Sequence, residues 1–399
     1  MKIAVISTQS PISRIWSHVA RVSSHDVVLI PVSKFKTGVA TPRMAGWHTL
    51  MDISPDCIWL DHHDLGLYGR LFQLYGHEDI PIIGYLRGDI WTEVNDLIEY
   101  LLGKREKRKK RTEKEKKSES EEGKKTKNDT LWSLIKDRKN RKPGLTYLYN
   151  ASLPFILVYK LRSFFLMNLS MNYYDLLVCI SEWLESRAHQ EMPKMATSVW
   201  YRGMDPAPFL TVKEMMPLTH PCVGILQNHS IYRKASALLE FAPVVEQLPD
   251  VHFYISEGIS RTSEFFSLVK ETLGRYKNVH FLKITPADVP QFLSSIDCFA
   301  LVSGLDAFPS TVREAQLARA PVVASNVGGI HEATAASSWN RIVENNDTEQ
   351  WVETLNEFIN GRGQNEEGRT YVISKFRWEV SIQEFERICS REISRKSTQ

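Results

Sequence analysis

From Asp297 to Glu332 the chain reads DCFALVSGLDAFPSTVREAQLARAPVVASNVGGIHE, and no other stretch limits its fold so closely. Cys298 to Val302 is a short apolar run of strand type, and Gly304 to Pro309 is a loop. Ser310 to Arg319 reads as a helix, because Val312, Ala315, Gln316 and Arg319 recur at helical spacing beside Leu317 and Ala318. Pro321 stops that helix, and Val322, Val323 and Ala324 form the next strand, whose end is marked by Gly328 and Gly329. The unit is a strand, helix, strand crossover.

Its chemistry lies in the loop between strand and helix. A helix N-terminus presents free backbone N–H groups and the positive end of its dipole, so the turn at Phe308, Pro309, Ser310 and Thr311 suits an anion such as a diphosphate. Pro309 fits the first helical position. Asp306 precedes the helix and Glu314 lies one turn inside it, a separation that lets both carboxylates face one cleft, one toward a sugar and one toward a ribose.

An acidic residue, seven others, then Glu-Ala, followed by Pro321-Val-Val-Ala-Ser325 and Gly328-Gly-Ile-x-Glu332, resembles the donor site of glycosyltransferase family 4. That family usually opens the pattern with Glu, where this chain has Asp306. The resemblance implies an α/β chain of the GT-B fold: two Rossmann-like doubly wound domains facing an interdomain cleft. It also implies retention of anomeric configuration, no metal, and no cofactor beyond a nucleotide-diphosphate sugar as co-substrate.

A chain of 399 residues is long for one core, and two domains are expected. The net charge of +3 is uneven: Lys104 to Thr130 holds 13 Lys or Arg against 7 Asp or Glu, so the remainder is mildly acidic and suggests no nucleic acid. Cys57, Cys179, Cys222, Cys298 and Cys389 are odd in number and widely spaced, with no CxxC pair, which points to a reducing, cytoplasmic compartment. MKIAVISTQS starts a strand at once and lacks the long apolar region of a signal peptide. No window reaches about 18 uninterrupted apolar residues, so no membrane-spanning helix is expected.

In chain order, Lys2 to Ser7 and His25 to Val32 are strands with a helix between, a βαβ opening. Cys57 to Leu60 and Ile80 to Leu86 follow, ending at Asp61-His62-His63-Asp64 and Arg87-Gly88-Asp89. Adjacent histidines in an extended segment point opposite ways, so no metal is assigned to them. Arg87 stands where family members often carry His, and it is a candidate to bind an acidic acceptor or a phosphate. Residues 103–143 form a charged insertion unable to bury apolar area, expected to be disordered or a frayed helix. Its basic run 104–117 and the apolar stretch 153–171 raise peripheral contact with anionic lipid, at the inner face of the cell membrane. A core helix is the alternative for 153–171.

Arg202-Gly-Met-Asp-Pro-Ala-Pro-Phe209 has linker composition and resembles the family's hinge. The expected domains are therefore 1–201 for the acceptor and 202–375 for the donor, with 376–399 a helix returning to the first. The second domain continues with strands at Cys222 to Leu226, Val251 to Ser256 and Val279 to Leu282, and a helix from Ala235 to Gln247. Arg233 and Lys234 precede that helix, and the resemblance gives such cations the role of stabilising a departing diphosphate. It places Gly258, Lys283 and Ile284 around the donor nucleotide. The expected function is transfer of a sugar to a glycan, lipid or small-molecule acceptor. A nucleotide-sugar epimerase, a phosphorylase and a non-catalytic membrane-associated protein of the same fold are the alternatives.

Overall fold

The structure, a computed structural model, describes residues 1–7, 14–31, 44–61, 66–74, 76–91, 170–229, 232–257, 264–361 and 363–398. The insertion 103–143, the segment 104–117, all but the end of 153–171, His62, His63 and Gly258 lie outside them. Met1–Gly88 and Met171–Gln399 form one compact unit that holds both sheets, and Asp89–Ser170 forms another.

The first sheet is built from β1 (Lys2–Ser7), β2 (Asp26–Pro31), β3 (Cys57–Leu60), β4 (Ile82–Leu86), β5 (Leu176–Cys179) and β6 (Thr197–Val199). It runs parallel in the order β2-β1-β3-β4-β5-β6. The second contains β7 (Cys222–Ile225), β8 (His252–Ser256), β9 (Val279–Leu282), β10 (Cys298–Leu301), β11 (Val322–Ser325) and β12 (Asn340–Val343). Its order is β12-β11-β10-β7-β8-β9, again parallel. The central strands are buried end to end, as continuous apolar runs must be when helices cover both faces. These are the two doubly wound α/β layers of the GT-B fold. In such sheets ligands bind beyond the carboxyl ends of the strands where the order reverses. Here those points lie between β1 and β3 and between β7 and β10.

Helices α1 (Arg14–Val22), α2 (Met44–Ile53), α3 (Gly66–Leu74) and α4 (Glu182–Glu191) belong to the first half. The last helix of the chain, Trp378–Ser397, lies against this sheet too. Its Phe385 ring is 4.8 Å from Trp59, in a buried set with Trp16, Tyr85 and Trp200, and Trp200 Nε1 donates to Ser381 O at 2.8 Å. Lys396 Nζ pairs with Asp175 at 2.9 Å. The expected helix from Ala235 to Gln247 is two, Tyr232–Glu240 and Ala242–Gln247. Pro243 lacks an N–H and its ring crowds the carbonyl four residues back, so the helix restarts with the proline in its first turn.

Candidate active site

The second sheet's switch point is built from two loops. The first follows β7 and leads into the helix Tyr232–Glu240; the second follows β10 and leads into the helix Ser310–Leu317. Gly304 joins them, its N–H donating to Arg233 O at 3.2 Å, and a side chain there would meet that oxygen at 2.9 Å. Across this junction Lys234 Nζ donates to Asp306 Oδ2, with side chains 14% and 11% exposed. An ion pair this enclosed is held by geometry, and removing one partner would strand the other.

Behind Asp306 the loop is pegged by buried polar groups. Ser303 N–H donates to Ser325 Oγ at 2.9 Å, Ser325 Oγ donates to Leu301 O at 3.1 Å, and Asn345 Nδ2 donates to Ser303 O at 2.9 Å. In front of it Gly329 N–H donates to Asp306 O at 3.0 Å. Gly328, at φ +59°, and Gly329 lie so close to the carbonyls of Asp306 and Ala307 that neither tolerates a side chain. The sequence's Gly-Gly pair is thus a cradle for the Asp306 backbone.

Pro309 differs from its expected place. Its ψ of 123° keeps it outside the helix as the N-cap, and Ser310 is the first helical residue. A proline cap brings no side-chain acceptor, so among the described residues no side chain caps the first-turn N–H groups at Ser310 and Thr311. The Phe308 ring is buried, 5.1 Å from Tyr201 and 5.3 Å from Phe376. Phe308 can therefore offer a ligand only backbone.

Glu314 is recessed and half-buried, and its carboxylate accepts no hydrogen bond from a described residue. Burial raises its pKa above the usual carboxylate range, opposed by the neighbouring charges of Arg313 and Arg202. Arg313 is a functional-site residue the sequence reading passed over. Its guanidinium is fully buried, lies 4.1 Å over the Phe308 ring, and donates through Nη1 to Arg202 O at 3.0 Å, while Nε and Nη2 find no acceptor. Burial, reinforced by Arg202, pushes its pKa down to about 9. Arginine at a helical position that looks apolar in pattern gave no local signal of this role.

The end of β7 adds polar groups that the sequence reading also missed. Gln227 Nε2 donates to Lys234 O at 3.2 Å, and its Oε1 is buried without a partner. His229 Nε2 lies 2.8 Å from Ser256 O, so that nitrogen carries the proton and Nδ1 is left as a buried, unpartnered acceptor. Burial lowers the pKa of His229 and keeps it neutral. Lys283 is exposed and Ile284 half-buried past the end of β9, two strands away from β7.

On the first sheet, Ser7 Oγ donates to buried Asp61 Oδ2 at 3.0 Å across the β1/β3 switch point, and Arg87 Nε lies 3.3 Å from Asp61 Oδ1. Arg87 retains 25% side-chain exposure at the end of β4. Among the described residues one set of metal-ligating types comes together, His220, Cys222 and Asp297, at the opposite, amino edge of the second sheet. There Asp297 Oδ2 accepts from Cys222 N–H and His220 Nδ1, each at 2.7 Å, and closes the starts of β7 and β10.

Residues 220–374, which hold the whole Lys234, Asp306 and Glu314 constellation, match the family described as Glycosyl transferases group 1. They resemble a group 1 glycosyl transferase domain. The chain is also similar to a curated relative, the D-inositol 3-phosphate glycosyltransferase of Corynebacterium urealyticum, 28% identical over 156 residues. That match spans 36% of this chain and 36% of the relative, about a third of its length. Solved structures are similar over nearly the full chain. HepE from Anabaena in complex with UDP and glucose has a TM-score of 0.61 at 14% identity, covering 98% of this chain and 99% of its own. Sucrose-phosphate synthase from Thermosynechococcus elongatus has a TM-score of 0.64 at 13% identity, covering 99% of each chain. A glycosyltransferase from Rickettsia africae has a TM-score of 0.64 at 13% identity, covering 98% of each. At these identities the likeness is one of fold.

Proposed function

We propose that this protein is a retaining, metal-independent glycosyltransferase that moves a sugar from a nucleotide-diphosphate sugar to a sugar, glycan or lipid acceptor. The observation that carries the reading is the Lys234 and Asp306 pair across the β7/β10 switch point, beside a helix N-terminus that no side chain of the described residues caps. As the glycosidic bond breaks, negative charge grows on the diphosphate. Lys234, Arg233 and the N–H groups that follow Phe308 are fixed positive groups suited to that charge. Asp306 holds the Lys234 ammonium and faces the donor sugar, and Glu314, free of protein donors, accepts the ribose hydroxyls. Gly258, Lys283 and Ile284 remain proposed nucleotide contacts. The proposed domain division is an acceptor half, 1–201, and a donor half, 202–375, with 376–399 returning to the first.

The proposed location is the cytoplasm, with contact at the inner face of the membrane through 104–117 and 153–171. All five cysteines are free and buried, in keeping with a reducing compartment. No helix of the described residues is long and apolar enough to cross a membrane.

Thermal denaturation against a panel of nucleoside diphosphates and their sugars tests the reading, beginning with UDP because HepE holds it. One nucleotide is expected to stabilise the fold by about 2.7 kcal/mol at a hundred times its dissociation constant. A melting temperature indifferent to the whole panel would overturn the donor site. On the acceptor side, Arg87→Ala is expected to weaken an acidic or phosphorylated acceptor about tenfold or more, the worth of a charge-assisted hydrogen bond. Unchanged turnover and unchanged acceptor affinity would remove Arg87 from the site.

A further inference from the structure

Helix Glu182–Glu191 belongs to the first sheet, yet its N-terminus is completed from the second. Its own cap, Ser181, accepts the Leu184 N–H through Oγ at 3.2 Å and the Glu185 N–H through its carbonyl at 3.0 Å. The two N–H groups before them, on Glu182 and Trp183, both donate to the Glu332 carboxylate at 2.7 Å, one to each oxygen. Tyr201 OH donates to the same carboxylate at 2.9 Å, and lies 3.0 Å from Glu182 Oε1. Burial and the nearby Glu332 and Glu182 carboxylates raise the Tyr201 pKa, so the phenol keeps its proton. Three of the helix's orphan donors are therefore satisfied by side chains, two of them by a residue about 150 positions away.

Glu332 follows the Gly328-Gly329 cradle by three residues. A side chain on Gly329 would press on Ser181 Oγ as well as on the Ala307 carbonyl. Its main chain is anchored by Tyr371 OH, which donates to Glu332 O at 2.8 Å. A continuous set of direct contacts thus runs from the Lys234–Asp306 pair through the Asp306 and Ala307 carbonyls, Gly329 and Glu332 to the first turn of helix Glu182–Glu191. Tyr201 closes a second path, its ring tilted against Phe308 at 5.1 Å beside the 308–311 turn.

We propose that Glu332 is a positioning residue that couples occupation of the Asp306 loop to the placement of helix Glu182–Glu191, so that donor binding sets the acceptor half for transfer. This rests on the donor-site reading above. A ligand at the 308–311 turn moves the Asp306 backbone only together with the cradle, because the glycines leave no slack, and Glu332 transmits the shift as a charge held by two amides.

Hydrogen exchange on the full chain, with and without saturating UDP, GDP or ADP, tests it. In the wild type the bound nucleotide is expected to slow exchange of the Glu182 and Trp183 amides by roughly threefold or more. In Glu332→Ala the nucleotide still binds with affinity near the wild type, and those amides exchange fast in both states. Tyr201→Phe keeps both amide acceptors and loses one of the hydrogen bonds that hold the carboxylate, so it is expected to retain the fold and part of the protection. It decides the matter if the alanine variant does not fold. Wild-type protein that binds nucleotide without protecting these amides, or Glu332→Ala that keeps the protection, overturns the coupling alone. Wild-type protein that binds none of the three nucleotides overturns the donor-site reading and the coupling with it.

Discussion

Replacing Lys234 by alanine is expected to lower kcat at saturating donor by about 10²–10³, the usual cost of deleting one fixed positive group that faces developing negative charge. The side chain is enclosed with Asp306, so the deletion also leaves that carboxylate buried and unpaired. Two measurements separate these effects. The fall in kcat reports lost stabilisation of the leaving diphosphate, and a lower melting temperature reports the stranded Asp306. Lys234→Ala, Asp306→Asn combined relieves the stranded charge and is expected to restore stability while leaving kcat low. Turnover within tenfold of wild type in Lys234→Ala would exclude the lysine from the chemistry.

Glu314→Gln is expected to act in opposite directions on binding and on stability. A carboxylate holding ribose hydroxyls through charge-assisted bonds contributes about 1.5–3 kcal/mol for such a bond, so the donor KM should rise roughly 10- to 150-fold. The same substitution should raise the melting temperature at neutral pH. Burial holds the folded-state pKa of Glu314 above its unfolded value, so ionisation is penalised in the fold. For an acid raised in this way the penalty is present above the folded pKa and vanishes as pH falls below the unfolded one. The stabilisation by Gln should accordingly disappear in acid, and the wild-type donor KM should climb as pH falls through the raised pKa. A Gln variant with normal donor KM, or one destabilised equally at all pH values, would show Glu314 to be an ordinary structural residue.

The pairing of gain and loss at Glu314 is typical of a group retained for binding. A carboxylate with no protein donor, beside a buried guanidinium that itself lacks acceptors for Nε and Nη2, is a poor arrangement for stability alone. Arg313 and Arg202 temper the burial of Glu314, and the Phe308 ring lies against Arg313 in turn. The first five residues of one helix thus carry the proposed anion site, the ribose carboxylate and its electrostatic support.

Much of this was legible in the chain because it is local. The apolar run Cys298 to Val302, the loop to Pro309, the helix from Ser310 and the strand from Val322 follow from periodicity and from Pro and Gly, whose backbone constraints act over a few residues. The same holds for β1, β3 and β9, whose limits match the apolar runs. Errors arose where local signals compete. Pattern alone ran one helix through Pro243, and it could not show that the turns of the last helix past Arg387 are held by Lys396 reaching Asp175 and the Glu78 carbonyl. Those partners are remote in sequence, so no window around Arg387 contains them.

What the sequence by itself determined was the alternation of strand and helix, the anion-suited turn, and the identity of the carboxylates and cations near it. Those follow from interactions within one or two turns of chain. What only the tertiary structure decided was the strand order that puts Lys234 against Asp306, the burial of Arg313 against the Phe308 ring, and the reach of Glu332 to a helix 150 residues earlier. Each of these depends on which strands become neighbours, and parallel pairing across crossovers leaves no mark in the local pattern, because any buried parallel strand reads alike.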